Sequence, residues 1–181
     1  MEFVAFPKIA RLSREVVITE KIDGTNGVIC IGEDGGFHVG SRTRWLNAET
    51  GDNDGFLLWA LTHKDELMRL GPGTHFGEWW GSGIQRGYGL VKGEKRFSLF
   101  NVHRWSDDSV RPACCSVVPV LHRGVFDSTD AMNALHILKR DGSKAAPGFM
   151  RPEGIVIFHT AGGYMFKKTI EKDEQPKGLQ G

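Results

Sequence analysis

Glu20-Lys21-Ile22-Asp23-Gly24-Thr25-Asn26-Gly27 lies between two short apolar runs, Val16-Val17-Ile18 and Val28-Ile29-Cys30-Ile31. The β-branched flanks predict strands over 16–21 and 27–31, and the Asp-Gly step predicts the turn that joins them. An amine held between two strands, with a carboxylate two residues on and a glycine turn behind it, suits covalent catalysis. A protonated lysine is a poor nucleophile, so that role needs a buried, cation-rich pocket to lower its pKa. Lys-x-Asp-Gly also describes an ordinary hairpin turn with a solvated lysine. Segments further along the chain decide between the two.

Outward from this hairpin, Phe37 to Ser41 reads as a third strand after the turn Glu33-Asp34-Gly35-Gly36. Residues 54–70 read as a helix, with Asp54 as its cap and a stop at Gly71-Pro72-Gly73. Thr74 to Trp80 and Arg96 to Arg104 read as strands, and Val117 to Val125 as an extended segment broken by Pro119. Ser128 to Arg140 reads as a second helix, with Leu135 and Leu138 on one face and Asp141-Gly142 at its end. Gly154 to His159 and Tyr164 to Lys168 read as closing strands joined by Ala161-Gly162-Gly163. The expected class is α+β, rich in antiparallel strands, with two main helices in one domain over residues 1–170. Residues 171–181 are expected to be a polar tail.

Composition narrows the class. The chain has 181 residues, 40% of them hydrophobic, which suffices for one domain with a real core. No apolar run approaches the roughly 20 residues that cross a bilayer, and Met1-Glu2-Phe3-Val4 lacks the pattern of a signal peptide. Three cysteines, two of them the neighbours Cys114 and Cys115, form neither a disulfide framework nor a zinc pattern. A reducing, intracellular (cytoplasmic) setting without membrane attachment is the expectation. The seven histidines show no H-E-x-x-H or paired spacing. The formal net charge of +1 means that any basic surface must be local. Arg11, Arg14, Arg86, Lys92, Lys95 and Arg96 either build such a face or are scattered solvated charges.

Five segments place a charged or aromatic residue at the end or inner face of a predicted strand. They are Glu20 to Gly24, Ser41-Arg42, Phe76-Gly77-Glu78, Leu99-Phe100-Asn101, and Glu153 to Val156 together with Phe166-Lys167-Lys168. In this order and at these spacings they resemble the motifs of the covalent nucleotidyltransferases, the superfamily of ATP-dependent RNA and DNA ligases and mRNA capping enzymes. Thr25-Asn26, directly after the Lys21 motif, is similar to the RNA ligase branch. The resemblance runs from about Phe3 to Thr169, and five ordered matches are far more specific than any one of them.

The resemblance implies an adenylation domain in which Lys21 attacks the α-phosphate of ATP and becomes lysyl-AMP. It implies that Lys167 and Lys168 hold the α-phosphate and help depress the pKa of Lys21. Glu153 would bind a divalent metal, Mg2+ or alternatively Mn2+, directly or through water. Glu78 would accept from the ribose hydroxyls, Phe100 would stack on adenine, and Arg42 would contact phosphate or sugar at the nick. Glu20 would sit at the purine edge and Asn26 near the water shell of the metal. Two departures stand out. Relatives close with Lys-x-Lys, whereas Lys167 and Lys168 are adjacent, so both serve phosphate only if the strand is bulged. The chain also stops soon after its last motif, which suggests a bare core with no appended oligonucleotide-binding or helical domain.

Plainer readings exist for several of these residues. Glu78 would otherwise be a rim carboxylate, Phe100 a core residue, and Glu153 with Lys167 a cross-strand ion pair. Trp79-Trp80 reads as packing. Gly81-Ser82-Gly83-Ile84-Gln85-Arg86-Gly87 is not a phosphate-cradling loop by spacing and reads as a mobile surface segment, with Arg86 as a backbone contact. Asp52-Asn53-Asp54-Gly55 lacks the rest of a calcium loop and reads as a helix-capping turn. The function expected from the motifs is an ATP-dependent polynucleotide ligase that seals 3′-hydroxyl, 5′-phosphate nicks in duplex RNA, DNA or their hybrids, acting as a monomer. A capping-type guanylyltransferase and a non-catalytic end-binding module derived from a ligase are the alternatives.

Overall fold

The computed structural model describes residues 1–171 and residue 173 of the chain. Apart from Glu171 and Asp173, the tail expected over 171–181 lies outside the described residues. The elements run β1 (Glu15–Lys21), β2 (Thr25–Ile31), β3 (Phe37–Gly40), α1 (Phe56–Thr62), α2 (Lys64–Leu67) with a 3-10 turn at Met68–Leu70, and β4 (Gly73–Gly81). Then follow β5 (Lys95–Leu99), α3 (Val102–Trp105), β6 (Cys115–Val117), β7 (Val120–Val125), α4 (Ser128–Asp141), β8 (Gly154–His159) and β9 (Tyr164–Thr169). The class is α+β, as expected.

Two sheets form, in the orders β7-β1-β8-β9 and β3-β2-β4-β5-β6. All pairs are antiparallel except β5 with β6. The β1–β2 hairpin therefore does not close on itself, because its strands part into different sheets at the turn that follows Lys21. Alternation along each strand divides the core in three. Val16, Ile18 and Ile155 face Leu135 and Leu138 of α4. Ile29, Trp79, Phe97 and Leu99 face Phe56 and Ala60 of α1. Between the sheets, Val17 and Ile22 meet Trp80, Tyr88 and Val118. Each fully buried Ile, Leu or Val of these clusters contributes roughly 2 kcal/mol. Both Trp79 and Trp80 are buried packing residues; their indole N–H groups donate to the Asp54 carbonyl at 3.0 Å and to Ser98 Oγ at 2.8 Å.

Three local expectations are corrected. The helix expected over 54–70 is broken at His63, whose backbone leaves the helical region and whose Nδ1 lies 2.8 Å from the Trp59 carbonyl. Gly55 rather than Asp54 is its N-cap, and the Leu58 N–H donates to Asp52 Oδ1 at 2.9 Å while Asn53, Asp54 and Gly55 turn through positive φ. The strand expected over 96–104 ends at Leu99, because Asn101 accepts from the Arg104 N–H at 3.1 Å and starts α3. The loop after β4 is not a loosely held surface segment either: Ile84 and Tyr88 are each only 2% exposed, and they join different core clusters.

Candidate active site

β1 ends at Lys21, and alternation turns Lys21 to the face that Val17 and Thr19 present to the second sheet. Its Nζ donates to Glu153 Oε2 at 2.6 Å, across 132 residues of sequence. Glu153 stands just before β8, whose Gly154 pairs with Lys21, so the register of the sheet sets this contact. The plainer alternative for Glu153 is a cross-strand pair with Lys167; here it forms an ion pair with Lys21. Gly154 permits the approach of β9, since a Cβ there would meet the Lys168 carbonyl oxygen at 2.2 Å.

From the second sheet comes Glu78, buried in β4 opposite Asn26 of β2. Its Oε1 accepts the Gly24 N–H at 2.9 Å, and its Oε2 accepts from Asn26 Nδ2 at 3.0 Å. Asn26 is fixed in turn, because Asn53 Nδ2 donates to its carbonyl at 3.2 Å. Gly24 is needed for closeness rather than for an unusual φ: a Cβ would lie 2.4 Å from the Trp79 carbonyl oxygen and 2.8 Å from Trp80 Cβ. The turn that carries Lys21 is thus pressed onto the strand that carries Glu78. Lys21, Asn26, Glu78 and Glu153 form one cluster at the junction of the sheets.

Burial pushes the Glu78 carboxyl up to about 7 from its ordinary 4.5. The Lys21 charge and the Gly24 N–H oppose the rise, and the Glu153 charge adds to it. The folded protein therefore holds a proton that the unfolded chain releases between those values. Its contribution to stability is complete below the unfolded value and is lost as pH rises through about 7. Between pH 5 and pH 8.5 this group is expected to lower stability by about 2 kcal/mol. Urea unfolding of wild type and Glu78→Gln across that range reads the effect as a difference in slope; parallel curves would contradict it.

Other expected site residues fall into two groups. In the continuous register of β1, β8 and β9, Thr19, Val156 and Lys167 lie side by side, as do Glu20, Ile155 and Lys168. No bulge interrupts β8–β9, so only Lys167 shares the face of Lys21. Lys168 lies on the α4 side, and its Nζ donates to Asp173 at 2.9 Å. Glu20 is also on that side. Its carboxylate accepts from Ser143 Oγ at 2.6 Å and from the Lys144 and Ala145 N–H groups at 2.7 and 3.0 Å. That engagement holds the carboxylate on the face opposite Lys21, and the cause is simple alternation along β1. Burial still raises the Glu20 pKa, against the pull of those three donors.

Phe100 stands one residue past β5, is 39% exposed, and its N–H donates to the Phe76 carbonyl at 2.9 Å. Phe76 lies two residues before Glu78 on the same face of β4 and is 55% exposed, an aromatic candidate that sequence reasoning passed over. Arg42 is exposed in the turn after β3. The expected basic face loses members to internal contacts: Arg86 pairs with Asp23 at 3.0 Å, Arg96 with Glu94 at 2.5 Å, and Lys95 Nζ donates to the Asp54 carbonyl at 2.6 Å.

Glu153, Glu78 and the Asn26 side chain offer hard oxygens, which suit Mg2+ or Mn2+ over softer ions. Among the described residues no group of three His, Cys, Asp or Glu side chains is placed to cage a metal. The residues fit a cation that keeps most of its ligands as water and phosphate oxygens, which is the habit of Mg2+.

The family model described as RNA ligase matches residues 14–169. No curated protein matches. Among solved structures, a lysine-to-alanine variant of Naegleria gruberi RNA ligase with ATP and Mn aligns with a TM-score of 0.64 at 20% identity, covering 86% of this chain and 48% of that one. The same enzyme with PPi gives 0.62 at 20% identity, with 87% and 50% covered. A glutamate-to-alanine variant with AMP and Mn gives 0.61 at 18%, with 86% and 49% covered. This chain spans about half the length of those relatives, and at these identities the likeness is one of fold.

Proposed function

The chain belongs to the RNA ligase family, and from that premise we propose that it is an ATP-dependent polynucleotide ligase that works through lysyl-AMP. One observation carries the reading: the Lys21 amine stands 2.6 Å from Glu153, beside buried Glu78, where two sheets meet. In the first step the neutral Nζ attacks the α-phosphorus of ATP. A P–N bond forms, the bond to the β-phosphate oxygen breaks, pyrophosphate leaves, and the amine gives up its proton. In the second, a 5′-phosphate oxygen takes AMP from Lys21. In the third, a 3′-hydroxyl displaces AMP and closes the strand.

Phosphoryl transfer asks for in-line placement and for neutralised oxygen charge more than for acid–base groups. Lys167, on the same face as Lys21, serves the α-phosphate. Glu78 holds the ribose side, Asn26 lies near the water shell of the metal, and Phe100 takes the adenine face. Glu153 would hold a divalent cation, directly or through water, and the cation would supply charge neutralisation at the phosphates. Glu153 is also the partner of Lys21, so the amine and the cation draw on the same carboxylate. The substrate in this reading is a nick within duplex RNA, DNA or a hybrid, since the complementary strand aligns both ends.

The test is incubation with α-labelled ATP or GTP and Mg2+, denaturing electrophoresis, and then addition of nicked duplexes. Label from ATP that chases into sealed strands is expected. Label from GTP alone would make the protein a guanylyltransferase, and absence of label from both would remove the covalent reading.

A further inference from the structure

The loop that leaves β4 is strained. Gly81, Gly83, Gly87 and Gly89 have φ between 67° and 127°, and Gln85 and Tyr88 have φ of 45° and 52° although they carry side chains. A bulky residue in the left-handed region costs on the order of 1–2 kcal/mol and persists only where its surroundings hold it. Here they do. Ile84 is sunk in the cluster with Trp79, and the Tyr88 ring packs 4.6 Å from Phe149 and 5.1 Å from Trp80, centroid to centroid.

What this anchored loop reaches is the turn after Lys21. Tyr88 Oη accepts the Asp23 N–H at 2.8 Å, and Arg86 Nε donates to Asp23 Oδ2 at 3.0 Å. Asp23 is thus gripped through both backbone and side chain. The same guanidinium extends further: Nη1 donates to the Arg151 carbonyl at 3.0 Å, and Nη2 lies 3.8 Å from Glu171 Oε2. Asp23 follows Lys21 by two residues, Arg151 precedes Glu153 by two, and Glu171 follows the end of β9, the strand of Lys167. One arginine therefore meets the three segments that deliver Lys21, Glu153 and Lys167.

We propose that Arg86 and Tyr88 are positioning residues: the loop 81–89 is a clamp that fixes the nucleophile turn against the segments carrying Glu153 and Lys167. This deepens, and in its kinetic part rests on, the ligase reading above. The strain in the loop is balanced by its anchors, and its product is a rigid Asp23 with Lys21 held at the junction of the sheets. Arginine suits the task because its planar, multi-donor head spans three acceptors that a lysine ammonium does not.

Two readouts test it. Arg86→Gln is expected to slow AMP transfer from ATP about 10- to 100-fold with KM for ATP within about threefold of wild type, and Arg86→Lys to recover little. Asp23→Asn is expected to behave like Arg86→Gln, and the double variant to be no slower than the slower single. Independently of activity, hydrogen exchange of the peptide holding the Asp23 amide is expected to accelerate at least about tenfold in Arg86→Gln and Tyr88→Phe, with an unchanged unfolding midpoint. Additive kinetic losses, or rates that merely follow the folded fraction, would overturn the proposal, as would unchanged exchange in both variants. If wild type takes no label from ATP while exchange still rises, the ligase reading falls and the clamp stands.

Discussion

Lys21→Ala is expected to abolish transfer of label from α-labelled ATP to the protein, a fall of at least about 10³-fold, while the chain stays folded. The reason is chemical. No arginine or hydroxyl of the cluster replaces a primary amine that forms a P–N bond. Of the two lysines on β9, Lys168 is tied to Asp173 on the other face, and Lys167 shares the face of Lys21, where the proposed reading gives it the phosphate. Lys21→Arg sharpens the test. It keeps a cation for Glu153, and guanidinium does not deprotonate at any working pH, so the charge stays while the nucleophile goes. Loss of label in both variants, with wild-type circular dichroism and an unfolding midpoint within a few degrees, would assign the covalent bond to Lys21. Persistent label in either would place it elsewhere.

How much of this was legible in the sequence depends on the range over which the signal acts. β1 and β2 announced themselves through the runs Val16-Val17-Ile18 and Val28-Ile29-Cys30-Ile31, and α4 because Leu135 and Leu138 recur on one face above a stop at Gly142. Local rules served less well where side chains compete with the backbone. Asn101 ended a strand that periodicity would have extended, and His63 broke a helix. Gly24 shows the limit most clearly. The sequence suggests a glycine required by turn dihedrals, whereas the structure uses it because the Trp79 carbonyl comes too close for a Cβ.

The site itself divides the same way. That Glu20 and Lys21 point to opposite faces follows from strand alternation alone and was available without coordinates. That Lys21 meets Glu153 depends on β1 pairing with β8, a contact between distant parts of the chain with no local signature. The role of the loop 81–89 was hidden for a related reason. Its glycines read as looseness, while their positive φ values serve to pack Ile84 and Tyr88 into separate cores and to turn Arg86 onto Asp23.

Alternation also separates the two closing lysines, and the expected consequence is large. Lys167→Ala is expected to slow adenylation about 10²-fold, the usual cost of removing one preorganised donor from developing phosphate charge, whereas Lys168→Ala changes it by less than about threefold. The argument rests on register. Lys167 stands beside Val156 and Thr19, two residues from Lys21 on the same face, while Lys168 stands beside Ile155 and Glu20. What Lys168→Ala removes is the solvent-screened contact with Asp173, which lies on the other face from Lys21. Thr169 is the next residue on the face of Lys167, so a hydroxyl stands at the second position of a Lys-x-Lys pair. Lys167→Arg, which retains charge, should recover part of the rate if electrostatics dominates. Equal losses at both positions would require β9 to be bulged when ATP is bound, and a loss confined to Lys168 would require the strand to slip by one residue. Single-turnover labelling of the three variants separates these outcomes, because each predicts a different order of rates.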